Sequence, residues 1–177
     1  MLIQSLSYNT QKLRVGLFYQ GGIIVYVNNN TRQGLIAYNT GYASDNLAWG
    51  PTGAFTQNSG FGFGYANTEN AYNTLSPASN TALYTIWNGT FNGYSDWFLP
   101  NIAEVQYIAT MVDTGFNPNL LDFWNGGTIW LSEAPPSPAS GIYAYDRNFP
   151  GAPFLTSRFR SETDNRESIA CRYITFT

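Results

Sequence analysis

An α+β fold is predicted by three features of this chain. Runs rich in β-branched and aromatic residues, bounded by Gly and Asn turns, gather toward both ends. Helical spacing of apolar residues is confined to the middle. Between the two kinds of pattern sits a densely punctuated strand-turn-helix unit, Gly93-Tyr94-Ser95-Asp96-Trp97-Phe98-Leu99-Pro100 followed by Asn101-Ile102-Ala103-Glu104-Val105.

Residues 15–26 read as two strand pieces hinged at Gly21-Gly22, the second being Ile23-Ile24-Val25-Tyr26-Val27. Asn28-Asn29-Asn30-Thr31-Arg32-Gln33 is a polar turn, and Gly34-Leu35-Ile36-Ala37-Tyr38 returns as the hairpin partner. Residues 39–67 are Gly-, Asn- and aromatic-rich without a steady period, which predicts a long ordered loop. Weak helical character follows at 67–75 and 78–87, around Tyr72, Leu75, Leu83 and Ile86. In the central unit a turn delivers an aromatic strand, Pro100 stops it, and Asn101 opens a helix. Asn101 can accept from the backbone N–H of Glu104, and Glu104, three residues on, can reach back. Ile102, Val105, Ile108, Ala109 and Val112 give that helix one apolar face. Residues 127–132, 141–148 and 168–176 read as further strands.

Composition narrows the function classes. Aromatics make up 17% of the 177 residues and charged residues only 11%, against about 25% charged in an average soluble protein. Polarity comes from Asn, Thr, Ser and Gly, which hydrogen-bond without the desolvation cost of full charges. With a formal net charge of -3 and Lys12 the only lysine, the chain lacks the basic footprint of a nucleic-acid binder. Residues 1–10 have neither a basic n-region nor the apolar run of a secretory signal, and no eighteen consecutive apolar residues predict a membrane span. Cys171 is the single cysteine and histidine is absent. Internal disulfides, Cys-His and Ser-His-Asp machinery and His-metal sites are therefore excluded, and Cys171 is expected in the core.

The order of elements resembles a known family. Val15-Gly16, Gly21 through Val27 and Gly34-Leu35-Ile36-Ala37 look like its opening hairpin. The stretch from Gly93 to Pro100 with Glu104 looks like its Gly-x-x-Asp-Trp-x-Leu-Pro-x-x-x-Glu-Leu signature. Ile129-Trp130-Leu131-Ser132-Glu133 is similar to its Trp-Ser-Ser strand, and Cys171-Arg172-Tyr173-Ile174 to its closing Val-Arg strand. The family is the C-type-lectin-like domain at the C-terminus of collagen-like bacterial adhesins, also found in phage tail and fibre proteins. The resemblance implies a mixed, mostly antiparallel β core with two flanking helices, long ordered loops on one side, and paired first and last strands. The domain spans 15–177 and is preceded by an arm, 1–14. Leu131 and Glu133 depart from the serine-type positions of the family strand, and 134–151 carries extra prolines.

Related formylglycine-generating enzymes use paired cysteines, which the single Cys171 opposes. Calcium sites of C-type lectins use Glu-Pro-Asn or Gln-Pro-Asp loops and a Trp-Asn-Asp strand. Glu133-Ala134-Pro135 breaks the first pattern, and Trp87-Asn88-Gly89 and Trp124-Asn125-Gly126 lack the acid of the second. No metal or cofactor is expected. Glu133, Asp146, Glu162 and Asp164 could in principle form a catalytic carboxylate pair, but a solvated surface is the expected reading, and no catalytic residue is assigned.

Binding is read from the loops. Tyr42, Trp49, Phe55, Phe61, Phe63 and Tyr65 lie among Gly and Asn, a composition that combines rigid aromatic contacts with adaptable polar ones. Tyr143, Tyr145, Asp146, Arg147 and Asn148 are the candidate ligand-binding residues, and aromatic faces stack on sugar rings. Trp97, Trp130, Phe98 and Tyr26 are expected in the core from their strand pattern. The expected function is a non-enzymatic phage virion protein of fibre, tail or capsid surface, engaged in assembly, host-glycan attachment or both. Its expected partners are other virion subunits, including copies of itself, with no nucleic acid and no membrane insertion. A bacterial surface adhesin domain and a carboxylate-based glycan hydrolase are the alternatives. Deleting residues 1–14, the expected intersubunit arm, should lower the oligomeric state measured by sedimentation.

Overall fold

Two consecutive positive-φ residues begin the architecture. Gln20 (φ 44°) and Gly21 (φ 90°) form a two-residue turn with the I′ geometry that matches strand twist. It joins β1 (Phe18–Tyr19) to β2 (Gly22–Asn28). After a polar turn, β3 (Gln33–Ala37) pairs antiparallel with β2, with a bulge between Ile24 and Tyr26. Asn28 Oδ1 closes that turn by accepting from the backbone N–H groups of Asn30 (3.0 Å) and Thr31 (3.2 Å).

The computed structural model describes residues 12–39, 43–113, 128–134, 141–146, 156–160 and 165–177, with backbone alone at 45, 112–113, 143–146, 156–160 and 165. Most of the expected arm, along with Tyr42, Arg147, Asn148, Glu162, Asp164 and Trp124-Asn125-Gly126, lies outside these residues. Within them the chain is mixed α+β. One sheet has the order β1-β2-β3-β9, where β9 is Cys171–Thr175. The other has the order β4-β8-β5-β6-β7, built from β4 (Ser44–Ala48), β5 (Thr128–Trp130), β6 (Ile142–Asp146), β7 (Thr156–Arg160) and β8 (Asn165–Ser168). Every described pairing of named strands is antiparallel except β5 with β8. The final strand expected over 168–176 is interrupted at Ile169 and Ala170, both fully buried, where the chain crosses from one sheet to the other.

Among the described residues three helices accompany the sheets, as the residue pattern predicts and one more than the resemblance implies: α1 (Gly64–Leu75), α2 (Ala82–Asn88) and α3 (Ile102–Asp113). Both weakly helical stretches of the sequence form helices. For α2, the Thr81 side chain accepts from the N–H of Tyr84 at its start. The stretch expected to be loop throughout 39–67 contains β4. Its bulge at Ser44/Leu47 and a positive φ at Asn46 interrupt the two-residue alternation that would have marked a strand. The closing strand pairs with β3, not with the first strand, which lies at the opposite edge of the sheet.

The first sheet is buried on both faces. Ile23, Val25, Leu35 and Ala37 pack with Val105, Ile108 and Met111 of α3 on one side. Ile24, Ile36 and Ile174 pack with Leu83 and Ile86 of α2 and with Trp49, Trp97 and Trp130 on the other. The central motif serves both cores by alternation: Phe98 faces the first, Trp97 and Leu99 the second. Its expected aromatic strand is an extended segment with one two-way bridge, Phe98 to Cys171, at 2.9 Å in each direction. Before it, Asn92 (φ 51°) and Gly93 (φ 82°) make a second tight turn between Phe91 and Tyr94. The carbonyls of those two residues accept from Trp97 Nε1 at 3.1 and 2.9 Å.

Asp96 ties the motif to the last strand. Arg172 donates through Nε and Nη2 to the two Asp96 carboxylate oxygens, and through Nη1 to the Gln20 carbonyl at 2.7 Å. Its guanidinium lies 4.0 Å from the Tyr94 ring centroid, a stacked and forked arrangement that lysine could not reproduce. Cys171, Trp97, Trp130 and Phe98 are fully buried, as expected, whereas Tyr26 is only partly so. Truncating Trp97 to alanine should cost about 3–5 kcal/mol, measured by denaturant unfolding.

Candidate functional site

The capping residues of α3 are the foundation of the site. Asn101 Oδ1 accepts from the N–H of Glu104 and Glu104 Oε2 from the N–H of Asn101, both at 2.9 Å, a reciprocal box as the spacing predicts. Glu104 is nevertheless fully buried. Its Oε1 accepts from the backbone N–H groups of Gly62 and Gly64, each at 3.1 Å, and from the Tyr173 hydroxyl. One carboxylate thus joins the start of α3, the start of α1 and strand β9. Glu133, expected on the surface, is also buried and caps the N–H of Ile102 at 2.8 Å. Anionic groups at a helix N-terminus are favoured by its orphan N–H groups and dipole.

Burial pushes the pKa of Glu104 upward, while hydrogen bonds from Tyr173, Asn101, Gly64 and Gly62 pull it back. Burial likewise raises Glu133, against hydrogen bonds from Ile102 and Ser59. Tyr173 is driven upward by burial and by the neighbouring Glu104 charge. The Cys171 thiol is raised well above its ordinary value by burial, which makes it a poor nucleophile.

This hub positions the loop Gly60-Phe61-Gly62-Phe63. Gly60 (φ 102°) and Gly62 (φ 101°) adopt a backbone conformation suited to glycine although a Cβ there would meet nothing, so conformation alone demands glycine. Asn101 Nδ2 holds the Gly60 carbonyl at 2.6 Å. The loop presents Phe61 and Phe63 at 38% and 40% exposure. Phe61 packs against Tyr26 (4.6 Å between ring centroids) and Tyr107 (5.2 Å), while Tyr26 and Tyr107 lie 4.7 Å apart. A cleft of about 410 Å³ lies between Phe61, Tyr26, the β2–β3 turn and the end of β9. A second, of about 370 Å³, runs between Tyr26, Tyr107 and Met111.

No family model matches the chain, and no curated protein matches its sequence. Among the described residues no group of three or more His, Cys, Asp and Glu could hold a metal ion, and no helix is long and apolar enough to cross a membrane.

Of the candidate binding residues, Tyr143, Tyr145 and Asp146 lie on β6, paired with β7 throughout and with β5 at Tyr145 and Asp146. Arg147 and Asn148 lie outside the described residues. Trp49 is buried and donates from Nε1 to the Leu131 carbonyl at 2.9 Å. Phe61 is brought into the aromatic cluster instead with Tyr26, Tyr107 and Tyr173. The available sequence signal was Tyr107, a large ring at 37% exposure on α3, away from the apolar positions that define its buried face. Tyr26 and Tyr173 were masked by their places in apolar strands.

Gly64→Ala should lower the melting temperature, because its Cβ would overlap the Glu104 carboxylate and the Phe98 ring. Replacing Glu104 with Gln should cost about 1–3 kcal/mol by facing an NH₂ toward buried donors. In the wild type, Glu104 and Glu133 have folded pKa values above their ordinary one. The folded state therefore binds more protons in that window, and the stability these groups contribute falls as pH rises through it, then levels off. Denaturant unfolding across that window should show the decline, with a shallower slope in Glu104→Gln.

Proposed function

We propose that this chain is a non-enzymatic attachment protein of a phage particle, with a C-type-lectin-like domain displayed on a fibre, tail or capsid surface. The observation that carries the binding part is Phe61, exposed on a short Gly-rich loop held through Gly60, Gly62 and Gly64 by the buried Asn101 and Glu104 side chains. An exposed aromatic on a fixed backbone loses little entropy when it meets a partner. Glu104 and Glu133, the buried carboxylates nearest this loop, are engaged in capping backbone N–H groups, which favours binding over hydrolysis.

The phage and lectin-like parts rest on the residue pattern of Gly93 to Glu104, Ile129 to Glu133 and Cys171 to Ile174, on low charge, and on abundant Asn and Tyr. In this reading Asp96 and Trp97 build the domain: one holds Arg172, and the other fills the core. Copies of the chain and other virion subunits are its assembly partners. Mass spectrometry and antibody-labelled electron microscopy of purified particles should place the chain on the particle exterior. Its detection only on bacterial cell surfaces would favour the adhesin alternative.

A further inference from the structure

The cleft beside Phe61 combines aromatic walls with neutral polar groups. Tyr26, Phe61 and Tyr173 supply rings, while Asn28, Thr31 and Gln33 supply amides and a hydroxyl. Among the described residues, none that lines it carries a formal charge. Asn28 Oδ1 is occupied by the turn, which leaves its Nδ2 as a donor. Within the same residues the Gln33 amide and the Thr31 hydroxyl make no hydrogen bond to the chain. The volume, about 410 Å³, lies within the range of small-molecule sites, about 300–1,000 Å³.

These groups select a ligand by elimination. An acidic ligand would surrender hydration without meeting a cation among the described lining residues. A purely apolar one would leave the amides and hydroxyl without partners. A sugar ring has both faces the cleft requires. Its C–H groups can lie on the electron-rich face of an aromatic ring, and its hydroxyls both donate and accept, matching an amide that does the same.

Resting on the attachment reading above, we infer that this cleft is a subsite for a neutral sugar ring, stacked on Phe61 and hydrogen-bonded by Gln33 and Asn28. The rigidity of the 60–64 loop sets the height of Phe61 above the β2–β3 turn, so Asn101 and Glu104 are positioning residues. No carboxylate lines the cleft among the described residues, so the contacts to the sugar are drawn from neutral groups alone.

The test uses the full chain on an array of neutral oligosaccharides of glucose, galactose, mannose and N-acetylhexosamines, with sialylated and sulfated glycans alongside. Binding to a neutral member is expected, unchanged by EDTA. Phe61→Ala should weaken it roughly tenfold or more, the scale of one lost aromatic contact with its buried area. Gln33→Ala should weaken it severalfold, and Phe18→Ala, an exposed ring on β1 at the opposite edge of the sheet and outside the cleft, should leave it unchanged. Circular dichroism and melting curves establish that each variant is folded. Binding only to acidic glycans, no binding to any neutral glycan, or equal binding by folded Phe61→Ala would overturn the inference. Host-cell adsorption separates this failure from that of the attachment reading. Adsorption that survives periodate oxidation of the cell surface retains attachment through a protein and rejects the sugar. Loss of all adsorption, with the chain absent from particles, rejects the attachment reading itself.

Discussion

The buried carboxylate of Glu104 is the constraint on which the rest of the structure depends. It has no basic partner among the groups it contacts; three backbone N–H groups and one phenol hydroxyl surround it. A buried charge is tolerated when such donors replace its hydration. Because the donors belong to the 60–64 loop, the start of α3 and strand β9, satisfying one side chain fixes three parts of the chain. The close approach of Gly64 follows directly, since a side chain there would occupy the carboxylate's space.

The same economy runs through the long loop between β4 and α1. Its backbone polar groups need partners, and a chain poor in charged residues supplies amides. Asn70 accepts from the N–H of Thr56 at 2.9 Å. Asn67 exchanges hydrogen bonds with the backbone of Asn58 at 2.8 and 2.9 Å. Gln57 does so with Ala134 at 2.6 Å in both directions, in the manner of a strand partner. Together with Trp49 reaching the Leu131 carbonyl, these bonds staple the loop to α1 and to the segment after β5. The Asn- and Gln-rich composition thus has a structural use: neutral side chains substitute for ladders where no ladder forms.

A second division of labour separates the two sides of the central motif. Asp96, itself exposed, and the buried Trp97 serve construction, through Arg172 and the turn carbonyls of Phe91 and Tyr94 respectively. Asn101 and Glu104, only a few residues later, hold the surface loop. The signature is therefore a scaffold whose far end holds the Gly60–Gly64 backbone, although none of its residues lines the cleft beside Phe61.

The sequence alone determined what depends on near neighbours. The Asn101–Glu104 box, the opening hairpin, the buried character of Trp97, Trp130 and Cys171, and the helical face of α3 follow from spacing over a few residues, where backbone geometry fixes what can touch. Tertiary structure decided what depends on distant meetings. The 60–64 loop joins Glu104 across about forty residues, and Tyr26, Phe61, Tyr107 and Tyr173 converge from four parts of the chain. Glu133 reads as a surface acid until the start of α3 is set beside it. β4 was illegible because its bulge breaks the alternation that announces a strand. Local periodicity encodes which face of an element is apolar; which elements share a cleft is set only when the two cores close around the sheet.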